Sequence, residues 1–199
     1  MKQVSKKQKN GFTLLELIVA ISIASAALTW ALPQFNRRIA RSEVQTFTQS
    51  ITSGFYSLRA RQGQDGSGCE INFESKYNFN KGNTYGAPKD LMEGKAKRLK
   101  CCDSAQCWED DNFSTYSKKP YRFLDFENTK SSKNVEIQVS HDNYTLSPPG
   151  TSPLSSPLII IVRSKKWDQD PERPLPTLCV ELSSNGFVRQ GKWIELECT

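Results

Sequence analysis

The chain has 199 residues, 24% of them charged, with mean hydropathy −0.57 and a formal net charge of +6. That length suits one compact domain, or one domain with an appendage. Four of its 27 basic residues, Lys2, Lys6, Lys7 and Lys9, fall in the first eleven positions, leaving 23 against 21 acids. The basicity therefore belongs mostly to the N-terminus, which weakens a nucleic-acid reading based on charge alone.

The first predicted element is apolar. Phe12 to Phe35 is 24 residues, about 36 Å as a helix and enough to cross a hydrocarbon core of about 30 Å. Glu16 interrupts it, with no Lys or Arg within a helical turn. A cleaved secretory signal would use Ala24-Ser25-Ala26 as its cleavage site, but would leave apolar residues 27–32 at the new N-terminus. An ordinary single-span anchor would carry Glu16 at a cost of about 2.5–3.5 kcal/mol at the bilayer centre, and less near the interface. Charge bias orients the span only weakly, because Arg37, Arg38 and Arg41 follow it.

The stretch "KNGFTLLELIVAISIASAALTWALPQF" resembles the N-terminus of type IV prepilins and type II secretion pseudopilins. The pattern falls on Gly11, Phe12, Thr13, Leu14, Glu16 and Pro33. The resemblance implies cleavage of a basic leader, residues 1–11, between Gly11 and Phe12 by a prepilin peptidase, which also N-methylates Phe12. It further implies a transmembrane and filament-core helix over 12–35 and an exported domain over 36–199. The chain would sit as a single pass in the inner membrane before assembly, and in a pilus or pseudopilus afterwards. The expected partners are other pilin or pseudopilin subunits. Cleavage would create a positive amine on Phe12, and Glu16 of one subunit would meet the Phe12 amine of its neighbour. Each charge is costly in lipid alone, so their pairing rewards correct assembly.

Beyond the span, apolar residues recur at Phe35, Ile39, Val44, Phe47, Ile51, Phe55 and Leu58, close to a 3.6-residue period. Arg37, Arg38, Arg41, Gln45 and Gln49 take the other face. This predicts one helix from Phe12 to about Ala60, kinked at Pro33 and ended by the glycines between Gly63 and Gly68. Its amphipathic half should pack on a sheet.

Strands are predicted at Cys69–Phe73, Tyr121–Phe126, Val135–Val139, Tyr144–Leu146, Leu158–Arg163, Leu178–Ser183 and Phe187–Leu196. Asn80–Lys119 reads as an irregular polar insertion and Ser147–Pro157 as a loop. Asn185-Gly186 marks a two-residue hairpin turn, and Gly191 a bulge or a second turn. The fold class is α+β: a long helix on a mainly antiparallel sheet. The closing stretch "LCVELSSNGFVRQGKW" also resembles the last hairpin of the GspH/FimT subgroup of minor pilins and pseudopilins.

Cys69, Cys101, Cys102, Cys107, Cys179 and Cys198 all follow the span, and their even number reads as disulfides in an oxidising compartment. Zinc at "CCDSAQC" is the rival, but no C-x-x-C pair exists and His141 is the only histidine. With a two-residue turn, Cys179 would face Lys192 and leave Cys198 roughly 20 Å away in an extended strand. The tail would then have to fold back, or the two cysteines would pair elsewhere.

No residue pattern assembles an active site or calls for a cofactor. His141-Asp142 lacks a nucleophile context and reads as a polar turn. Glu109-Asp110-Asp111 lacks the spacing of a calcium loop. An enzyme is thus the remote reading. The leading one is a minor subunit of a type IV pilus, with a GspH-like pseudopilin as alternative. DNA is a further candidate partner, implied by the second resemblance. Arg189 and Lys192, beside Trp193, would carry it with Arg163, Lys165, Lys166 and Trp167.

Overall fold

The helix α1 runs from Leu14 to Asp65 in the computed structural model. That structure describes residues 13–66, 68–82, 84–91, 98–102, 121–125, 130–148, 150–166 and 174–199. It divides into two compact units, Met1–Arg38 and Ile39–Thr199.

In the first unit α1 is long and apolar enough to cross a membrane, with mean hydropathy 2.0 over its best window and none of that window buried. Three of its hydroxyls are satisfied locally. The hydroxyls of Ser22, Ser25 and Thr29 donate to the carbonyls of Ile18, Ile21 and Ser25 at 2.7–2.8 Å. In a medium without water such back-bonding removes the cost of an unpaired hydroxyl. Pro33 lies inside the helix, where its ring removes one backbone donor.

In the second unit α1 buries Val44, Phe47, Ile51, Phe55 and Leu58 in one core cluster with the strands. Each such side chain contributes about 1.5–3 kcal/mol by leaving water. The expected stripe is too long at its start, since Phe35 and Ile39 stay 61% and 42% exposed. The helix also passes the expected stop near Ala60 and runs through Gly63. It ends at Gly66, whose φ of 62° is left-handed and whose N–H donates to the Gln62 carbonyl at 2.9 Å. A glycine just past the last turn supplies that conformation without a Cβ penalty.

The described strands are β1 (Cys69–Asn72), β2 (Arg98–Cys101), β3 (Tyr121–Asp125), β4 (Val135–Val139), β5 (Asn143–Leu146), β6 (Leu158–Ser164), β7 (Leu178–Leu182), β8 (Val188–Ile194) and β9 (Glu197–Cys198). All pair antiparallel, as β1–β5, β2–β3 and a five-stranded sheet ordered β4-β6-β7-β8-β9. The architecture is the expected α+β layout. One face of the large sheet carries Val135, Ile137, Val139, Ile160, Val162, Val180 and Leu182 into the helix-bearing core.

Three expectations about the strands need correction. The insertion is not irregular throughout, because "RLKC" forms β2, bridged to β1 through Cys69–Cys101. The strand expected at Phe187–Leu196 is β8 but stops at Ile194: a turn at Glu195 and Leu196, with φ of 51° and 69°, returns the chain as β9. The β7–β8 register differs by one residue, so Cys179 faces Gly191 and Leu178 faces Lys192. The cause is a three-residue loop, closed by a bond from Ser183 N to the Phe187 carbonyl at 2.9 Å, with Gly186 at φ 79°. A type I turn followed by a left-handed glycine is the usual solution at this loop length.

Candidate functional site

At the N-terminus, Gly11 and Phe12 lie outside the described residues. Thr13 and Glu16 do not, and they form a closed local motif. The Thr13 N–H and hydroxyl donate to Glu16 Oε2 at 2.9 and 3.0 Å, and the Glu16 N–H donates to Thr13 Oγ1 at 3.2 Å. This is a capping box, in which the residue before the helix and the third helical residue satisfy each other's backbone donors. The sequence signal for it is Thr-x-x-Glu, which a purely intermolecular role for Glu16 leaves out. All three bonds leave Glu16 Oε1 without a partner among the described residues.

Residues 6–32 match the family described as the prokaryotic N-terminal methylation motif. The chain is type IV pilin-like. The motif supports a type IV pilin or pseudopilin and implies processing by a prepilin peptidase and assembly with pilin subunits. No curated protein and no solved structure matches the chain.

At the other end of the pilin-like chain, β8 and β9 carry the residues singled out for DNA. Strand alternation puts Arg189 and Lys192 on opposite faces of β8. Arg189 is engaged: its guanidinium donates at 2.6 Å both to Glu181 Oε2 and to the Cys198 carbonyl. Trp193 leans on Phe79, with ring centroids 5.4 Å apart. Arg163 pairs with Glu136 at 3.0 Å and stacks on Tyr85 at 3.3 Å. Lys165 and Lys166 are exposed in the turn after β6, and Trp167 lies outside the described residues. Arg189 and Lys192 therefore do not share a face.

The cysteines divide clearly. Cys69 is bonded to Cys101 and Cys179 to Cys198. Cys102 is also disulfide-bonded, and Cys107 lies outside the described residues. Oxidised sulfurs are not zinc ligands, so Cys101 and Cys102 are unavailable to the metal considered at "CCDSAQC". The tail does fold back, by the β8–β9 turn, and this brings Cys198 to Cys179. Gly191 is neither a bulge nor a turn. It sits inside β8 where a Cβ would lie 2.4 Å from the Thr199 carbonyl oxygen, so its missing side chain makes room for the returning tail.

His141-Asp142 joins β4 to β5 as a polar turn. Asp142 receives Lys81, Asn78 at 2.6 Å and Ser75 at 2.9 Å. His141 bonds Ser140 through Nδ1 at 2.6 Å and Ser156 through Nε2 at 2.8 Å. Burial pushes the imidazole pKa down, against the opposing charge of Asp142. Burial alone would raise the Asp142 carboxyl, but the bonds from Lys81, Asn78 and Ser75 outweigh it and hold it below its usual value. These bonds pin the Ser147–Pro157 loop and the 75–81 segment to the sheet.

Proposed function

We propose that this chain is a minor subunit of a type IV pilus, held in the inner membrane by α1 before assembly and in the filament through α1 afterwards. The observation that carries the reading is Glu16. It lies on an apolar, uncovered helix, with one carboxylate oxygen held by its own Thr13 and the other open. An isolated carboxylate in lipid is costly. An open Oε1 supports a pairing with a cation such as another subunit's N-terminal amine would bring. The reading of a minor rather than a repeating subunit is supported by the paired strands β2 and β3, an elaboration tied to β1 by Cys69–Cys101.

The test separates insertion from assembly. Cells expressing Glu16→Leu and Glu16→Gln are sheared, and filament-bound chain is compared with membrane-bound chain. Both variants should insert normally and fall severalfold in the filament fraction. Equal partitioning of wild type and Glu16→Leu would remove the pairing role.

A further inference from the structure

An open groove of about 460 Å³ lies between the second half of α1 and β8. Gln45, Thr48 and Gln49 line it from the helix and Gln190 and Lys192 from the strand, with Leu178 its one bulky apolar residue. An adjoining cavity of about 60 Å³ shares Gln45, Leu178 and Lys192 and adds Arg41. No Asp or Glu side chain lines either space. Arg41 and Lys192 are exposed, and neither makes an ion pair among the described residues.

The backbone beside this groove is open in a specific way. β9 pairs only with Trp193 and Ile194, and the main chain of Thr199 bonds Lys192 in both directions at 2.7 and 2.9 Å. Among the described residues, 188–191 therefore have β7 on one side and no strand on the other. The bonds from Ser183 N to Phe187 O and from Trp193 N to Thr177 O fix the alternation of the ladder. With that phase, the N–H and C=O of Gln190 point away from β7. The carbonyl of Val188 already accepts from Tyr56 at 3.3 Å, which closes one end.

We propose that this groove takes an extended, acidic peptide segment of another protein, added as a short strand along β8 at Gln190. An unpaired edge offers a donor and an acceptor in register with such a strand. The amide side chains of Gln45 and Gln49 supply further donors and acceptors for its polar groups. Arg41 and Lys192, unopposed by any lining carboxylate side chain, select a segment carrying Asp or Glu. Charge complementarity of this kind sets partner choice more than raw affinity.

The test uses the full chain in detergent micelles and three fluorescein-labelled peptides. One alternates Thr and Glu over eight residues, one alternates Thr and Gln, and one is the Glu peptide with alternate backbone N-methylation. Fluorescence anisotropy is read at low and high salt. The Glu peptide should bind, and both other peptides should bind about tenfold more weakly at low salt, as should the Glu peptide to an R41Q/K192Q double variant. Both substituted side chains are exposed and outside the core, and circular dichroism checks the fold. Absence of binding, equal binding of Glu and Gln peptides, or full binding to the double variant overturns the proposal. Undiminished binding of the N-methylated peptide overturns the strand addition. A labelled oligothymidylate that binds wild type but not the double variant, where the Glu peptide does not bind, reassigns the groove to nucleic acid.

Discussion

Cys179 and Cys198 are bonded across β8, with Cα atoms 5.8 Å apart, although their strands β7 and β9 lie on opposite sides of it in sheet order. Two regular interstrand spacings would separate them by about 9–10 Å. The tail closes that gap by curling over Gly191, where no side chain stands in the way. Removing the bridge should loosen the C-terminus first. Its sequence separation is 19, and the chain-entropy account predicts a loss of about 3 kcal/mol for a loop near this length. A Cys179→Ser/Cys198→Ser double variant should therefore unfold at clearly lower denaturant, with early proteolysis after β8. Non-reducing peptide mapping of the wild type should recover Cys69–Cys101 and Cys179–Cys198 and place Cys102 with Cys107.

Two glycines should respond to alanine in opposite directions. Gly191→Ala drives a Cβ toward the Thr199 carbonyl at 2.4 Å, a backbone clash expected to cost about 1–3 kcal/mol. Gly63 lies inside α1, and a Cβ added there would meet nothing within 4 Å. Gly63→Ala should stabilise by about 0.5–1 kcal/mol through helix propensity. Thermal unfolding of both variants, side by side, checks the signs.

Acid should weaken the fold in two stages. His141 binds its proton less readily folded than unfolded, so stability is full above the ordinary value of 6.5 and falls as pH drops below it. Asp142 also holds its proton less readily when folded, so a second loss begins as pH falls past 3.8. His141→Gln keeps a polar side chain but does not titrate. Unfolding midpoints measured from pH 7 to pH 3 should show the upper stage vanish in this variant while the lower stage remains. An unchanged profile would mean the His141 imidazole titrates alike in both states.

The N-terminus makes the most direct prediction. Intact mass of chain recovered from membranes should correspond to a start at Phe12 with one added methyl group. Gly11→Ala or a larger residue there should leave the leader attached. A start at Ala27 would instead mean an ordinary signal peptide.

What the sequence determined by itself is what depends on neighbours along the chain. The methylation motif, the spanning run, the helix period from Val44 to Leu58 and most strand positions are local patterns, each legible within about twenty residues. The capping box is equally local, since Thr-x-x-Glu spans a single helical turn. Tertiary structure decided the rest. Phe35 and Ile39 obey the helical period as well as Val44 does, and only packing shows that they remain uncovered. The partner of Cys179 depended on a one-residue register, on left-handed backbone at Glu195 and Leu196, and on the gap at Gly191. No local propensity encodes these together, because a β-turn at bulky residues is held by the bridge and ladder that follow it. Arg189 and Lys192 are close in sequence, yet strand alternation sends one to Glu181 and the other to the groove beside α1.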